Sequence, residues 1–153
     1  MQSINQFIVR PKNNKRYDNT KEIGGLEILV STSEEDHKFS NRFAEVVSVP
    51  IIYDGPIKEG DTLIVHHNVF KFYNDMKGRR KSGKSFFMND LFFVDNYQFY
   101  MYHDGTQWNA HDRFCFVKPI DVEDSYIFKL IKHEQLMGEM MYPNGYMKYV
   151  GID

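Results

Sequence analysis

The sequence predicts an all-β fold, a small barrel or a sandwich, and two observations point there. Aromatic residues make up 16 % of the 153 residues, with 13 Phe and 10 Tyr. Such side chains fit half-buried pleated surfaces, which is where strands place them. The apolar runs are also short and regularly spaced, and turn residues separate them, as in barrels and sandwiches. A single stretch, about Glu123 to Lys132, reads as a helix.

Taken in order, Phe7-Ile8-Val9 is a first strand, stopped at Pro11 because proline removes a ladder donor. Residues 12 to 21 are polar and aperiodic, which reads as a loop. Ile23 to Val30 is apolar with Gly24-Gly25 near its start, and a polar stretch from Ser31 to Ser40 follows, holding the acidic run Glu34-Glu35-Asp36. Phe43 to Val49 is a strand closed by Pro50. Asp54-Gly55 and Gly60-Asp61 are turn signals, the second launching a strand from Thr62 to His66. Lys77 to Lys84 is a basic, glycine-containing stretch that reads as a hairpin loop. Leu91 to Val94, Tyr97 to Tyr102, Thr106 to Ala110 and Phe114 to Val117 complete the strands. They are separated by Asp95-Asn96, Asp104-Gly105 and the residues before Phe114.

The length suits one domain with a real core. Charge is nearly balanced, with 19 Lys+Arg against 21 Asp+Glu and a net of -2. That balance argues against a dedicated nucleic-acid binder, which carries an overall basic excess. The lone cysteine, Cys115, sits between Phe114 and Phe116 and reads as a small buried hydrophobe. One cysteine forms no internal disulfide, so nothing requires an oxidising compartment. No apolar run approaches the roughly 20 residues that span a bilayer. Met1 to Asn5 lack the plan of a signal peptide. A cytoplasmic protein without membrane contact is expected.

The order of these signals resembles the GroES-like co-chaperonin family, in particular its phage-encoded members. Phe7-Ile8-Val9-Arg10-Pro11 is similar to the family's opening strand. Gly24-Gly25-Leu26-Glu27-Ile28-Leu29 is similar to the Gly-Gly-aliphatic element of its mobile loop. Arg42 to Val49 matches its next strand, and Ile57-Lys58-Glu59-Gly60-Asp61-Thr62-Leu63-Ile64-Val65 matches its Gly-Asp strand start. Tyr97 to Met101 and Phe114 to Ile120 stand as counterparts of its closing segment. The resemblance covers about residues 4 to 120. It implies a GroES-like small β-barrel at 1–120 with a mobile loop at 16–38 and an extra hairpin, followed by a C-terminal extension at 121–153. The chain departs from the family pattern at Glu27, in the short segment between Val49 and Gly60, and at residues 70–92 and 121–153.

The function implied by the resemblance is that of a co-chaperonin: a ring-forming homo-oligomer that caps a GroEL-like chaperonin and assists protein folding, with host cytoplasm as its place. The partner-binding residues are then Gly24, Gly25, Leu26, Ile28, Leu29 and Val30. Polar flanks around that patch bury too little surface to order it when free. Each anchoring aliphatic contributes about 1.5–3 kcal/mol when fully buried. A ring multiplies this through effective concentration. The competing reading makes Ile23 to Val30 a core strand. Other readings of the whole are a phage structural or adaptor protein on the same barrel, or a single-stranded nucleic-acid-binding barrel.

Three further features invite chemistry. Lys77, Arg79, Arg80, Lys81 and Lys84 lie near Phe70, Phe72, Tyr73, Phe86 and Phe87, and basic residues among aromatics suit single-stranded nucleic acid. Arg79, Arg80, Lys81 and Lys84 are the candidate anion contacts; the plainer reading is a solvated tip that keeps an edge soluble. His66 and His67 are adjacent, and strand alternation would point them to opposite faces. Without a Cys pair or a His-x-x-x-His spacing, no metal site or other cofactor is expected. Phe114 and Phe116 flank Cys115 instead of the basic surroundings of a reactive thiol, and no glycine-rich phosphate loop or nucleophile elbow is present, so the chain is not expected to be an enzyme. Finally, Gly138 to Pro143 echoes Ala44 to Pro50, which suggests a partial repeat adding strands.

Overall fold

The computed structural model describes residues 1–30, 37–121 and 133–149. The expected helix at Glu123 to Lys132 and the acidic run Glu34 to Asp36 lie outside these residues. The protein is all-β. Its strands are β1 (Phe7–Pro11), β2 (Thr20–Ile23), β3 (Leu26–Leu29), β4 (Phe43–Ser48), β5 (Thr62–Val65), β6 (Phe72–Asn74), β7 (Arg80–Ser82), β8 (Phe86–Met88), β9 (Leu91–Val94), β10 (Phe99–His103), β11 (Trp108–Ala110), β12 (Phe116–Asp121) and β13 (His133–Tyr142). A five-residue helix, α1 (Gly145–Tyr149), follows β13. The chain divides into two compact units, Met1–Gln107 and Trp108–Asp153.

In the first unit an antiparallel sheet runs in the order β10-β5-β4-β1-β9-β8. Period-two alternation places Phe7 and Val9 of β1, Ala44 and Val46 of β4, Leu63 and Val65 of β5, Phe92 and Val94 of β9, and Phe99 of β10 in one buried cluster. Val69, Phe70 and Ile57, from the connections, close over it. The sheet is strongly curved. In a flat sheet β1 and β10, three strands apart in this order, would be separated by about 14 Å. Yet the Phe7 and Phe99 rings meet edge to face with centroids 5.3 Å apart. Register shifts at Ile8/Val9 in β1 and Phe99/Met101 in β10 mark the irregularities that help strands bend. Among the described residues no pairing closes the sheet into a barrel.

Two short hairpins stand apart from this sheet, β2–β3 and β6–β7. Several expectations need adjustment here. Ile23 to Val30 does not supply a core strand; its Gly24-Gly25 pair is a turn between two strands. Three of the eight residues of the expected basic loop at Lys77 to Lys84, Arg80 to Ser82, are strand β7. The strand expected to reach His66 ends at Val65, so alternation does not separate His66 from His67; their rings lie 4.1 Å apart in a turn closed by Val69 N–H donating to the His66 carbonyl (3.0 Å).

In the second unit β12 and β13 pair antiparallel, with Phe116 opposite Tyr142 and Pro119 opposite Gly138. Asn144 is buried and starts α1: its Oδ1 accepts the Met147 N–H (2.9 Å), and its Nδ2 donates to the Arg113 carbonyl (3.0 Å). Among the described residues no helix is long and apolar enough to cross a membrane.

Candidate docking site

The candidate site grows from a short backbone stem. Asp18 N–H donates to the Phe39 carbonyl (2.7 Å) and Asn41 N–H to the Arg16 carbonyl (3.0 Å), while Tyr17 and Ser40 form a bridge. Tyr17 is buried, and its hydroxyl oxygen accepts the Phe72 N–H (2.8 Å). Beyond the stem, β2 and β3 pair from Thr20↔Leu29 to Ile23↔Leu26. Gly24 and Gly25 have φ of 61° and 80°. Positive φ at both central residues is what a tight type I′ connection demands, and glycine adopts it without a Cβ clash.

Cross-strand partners share a face, so Lys21, Ile23, Leu26 and Ile28 lie on one side of this hairpin and Thr20, Glu22, Glu27 and Leu29 on the other. The nominated aliphatics are all open to solvent: Leu26 is 69 % exposed, Ile28 46 %, Leu29 54 % and Val30 48 %. Ile23, at 61 %, belongs with them; the sequence reading placed it in the apolar segment but not among the partner-binding residues. Its position directly across the Gly-Gly turn from Leu26 was the signal for it. Exposed aliphatics gathered on one hairpin make it a candidate interaction surface.

Glu27, which breaks the apolar series in sequence, does not break it in space. Alternation turns it to the face opposite Leu26 and Ile28. There the Lys15 ammonium pairs with its carboxylate and Thr20 Oγ1 donates to it (2.7 Å). These bonds, Lys15 first, hold the Glu27 carboxyl below the usual carboxylate range.

The basic residues lie on the β6–β7 hairpin. Asp75 organises its tip: its Oδ1 accepts the N–H groups of Lys77 and Arg79 (2.9 Å each), and its Oδ2 is 3.6 Å from Lys81 Nζ. The Arg80 guanidinium lies 3.7 Å from the Phe72 ring centroid. Arg79 and Lys84 are exposed. Arg16, which sequence reasoning passed over, anchors the hairpin base. It donates to the Phe70 carbonyl (2.7 Å), the Lys71 carbonyl (3.2 Å) and Ser82 Oγ (2.9 Å), and stacks 3.4 Å from the Phe72 centroid. A cation in a polar-looking loop carries no sequence sign of this role, because Phe70, Lys71, Phe72 and Ser82 lie more than 50 residues away.

Among the described residues no three His, Cys, Asp or Glu side chains gather as a metal ion would need. His67 stands between His66 and His37, with ring centroids 4.1 and 5.6 Å away. Burial, then the neighbouring imidazoles, lower its pKa. Cys115 is half-buried. No protein-family model, curated protein or solved structure matches this chain.

Proposed function

We propose that this chain is a co-chaperonin-like subunit, a GroES-like domain that assembles with identical copies and docks on a GroEL-type chaperonin through the β2–β3 hairpin. The observation that carries the reading is the exposed row of Ile23, Leu26 and Ile28 on a hairpin set apart from the core. Three such side chains, each contributing about 1.5–3 kcal/mol on burial, are enough for a weak single contact. A hairpin already paired before docking loses less entropy than an unstructured loop would. A ring of copies then converts several weak contacts into a strong one. The all-β fold and the Gly-Gly turn set between aliphatics support the reading.

The test is Ile28→Asp, read by two measurements on one sample. Ile28 lies outside the buried cluster, so the melting curve should stay close to that of the unchanged protein, as expected for surface substitutions within about 0.5 kcal/mol. Co-sedimentation with a nucleotide-loaded GroEL-type chaperonin should be lost. A collapsed melting temperature, or full retention of binding, would refute the docking role. Assembly into a ring with no chaperonin binding at all would favour a structural adaptor instead.

A further inference from the structure

We propose that His37, His66 and His67 form a pH-sensitive latch, which holds the stem of the β2–β3 hairpin shut at neutral pH and loosens it when the imidazoles take up protons. The inference rests on the stem and does not depend on what the hairpin docks on. At the stem Tyr17 bridges Ser40, while Asp18 N–H donates to the Phe39 carbonyl and Asn41 N–H to the Arg16 carbonyl. The buried Ser40 fastens this stem to the turn after β5, because its hydroxyl donates to the His67 carbonyl (2.7 Å). His37 lies two residues before the stem carbonyl of Phe39, and its ring reaches the same turn, with its centroid 5.6 Å from that of His67. On the other side of His67 the His66 centroid is 4.1 Å away. Three imidazoles thus meet at the joint between stem and turn.

The surroundings of this joint add positive charge. Among the described residues the charged and titratable groups that bear on His67 are His66, His37, Arg42 and Lys71. Lys38, exposed and next to His37 in the chain, carries a further positive charge. From β10 the Tyr100 ring comes within 6.4 Å of His66 and brings a phenol, uncharged near neutral pH. Each proton taken up therefore adds to a cationic cluster, and like charges drive such groups apart. His66 adds a second effect. Its Nδ1 accepts the Asn68 N–H (3.2 Å), so a proton placed there turns an acceptor into a donor and breaks a bond of the turn. The sign follows by linkage. Burial, then the neighbouring imidazoles and cations, hold the His67 value below its ordinary one. The closed latch is then fully stable above about 6.5, the unfolded value, and loses stability as pH falls from there toward the lower folded one. Glu27, held below the usual carboxylate range, keeps its charge to about pH 5, so its pair with Lys15 does not enter.

The experiment follows the Asp18 and Asn41 amides, the two stem donors, by hydrogen exchange at about pH 7.5 and about pH 5, corrected for the intrinsic exchange rate at each. Their protection should fall by about threefold or more at the lower pH, because the open stem binds protons more readily than the closed one. His37→Asn and His67→Asn should each reduce that fall, and the double variant should remove most of it, with melts at the higher pH as the folding control. Imidazole-carbon NMR of the unchanged chain supplies a reading that needs no variant. The His67 midpoint should lie below about 6.5 and rise in about 1 M salt, which screens its cationic neighbours. Equal protection at both pH values would overturn the latch, as would a His67 midpoint at or above the ordinary value. So would a fall in protection that survives undiminished in the double variant. A His37 midpoint well above the ordinary value would show a carboxylate neutralising the cluster, and that result would overturn it too.

Discussion

Gly55 leaves no room for a side chain. A Cβ there would overlap the Tyr53 ring, which packs edge to face on Phe7 with centroids 4.8 Å apart and borders the core. Gly55→Ala should therefore destabilise the first unit by about 1–3 kcal/mol, the usual cost of overpacking, seen as an earlier urea midpoint. An unchanged midpoint would mean that the Tyr53 ring moves freely. Glu27 makes a pH argument at the same scale. Its carboxyl sits below the ordinary glutamate value, through Lys15 first and then Thr20. A depressed folded value means that its contribution is complete above the unfolded value, about 4.3, and is lost as pH falls through the lower folded one. Carbon-detected NMR should place the Glu27 midpoint below that of free glutamate, with loosening of residues 20–29 following it. A midpoint at or above the free value would contradict the Lys15 contact.

At the scale of elements, the β2–β3 hairpin has no core beneath it, so its turn must supply what packing does not. Both turn residues take φ values that a Cβ disfavours, and a left-handed non-glycine residue costs roughly 1–2 kcal/mol. Gly24→Ala with Gly25→Ala should raise amide exchange across residues 20–29 and leave exchange in β1, β4 and β9 untouched. Uniform acceleration everywhere would mean that the hairpin folds as part of the sheet. The β6–β7 hairpin is anchored differently, through Arg16 and Tyr17 at its base. The expectation of a loop at Lys77 to Lys84 missed β7 because Arg80, Lys81 and Ser82 have no apolar alternation. Their strand form follows from pairing with Phe72, Tyr73 and Asn74.

At the scale of the molecule, β8 pairs with β9 alone among the described strands and exposes Phe86 and Met88. An apolar edge of this kind invites pairing with another chain. Light scattering at micromolar concentration should give a mass several times that of one chain, in keeping with a ring. A monomer at that concentration would end the ring proposal, though not the docking of a single hairpin.

Composition and alternation by themselves determined the all-β class and the placement of β1, β4, β5, β9 and β10. Alternation works there because each of those strands buries one face, so the pattern of apolar residues is the record of that face. The tertiary structure alone decided that Ile23 to Val30 is an exposed hairpin rather than a core strand. An apolar run looks the same in sequence whether it packs inward or awaits a partner. It also decided that Glu27 turns away from the aliphatic row, that Arg16 stacks on Phe72, and that His66 and His67 lie ring to ring. The Arg16 stacking depends on a contact with a residue far along the chain, which no local pattern encodes, and the other two depend on where a strand or hairpin begins and ends, which composition does not fix.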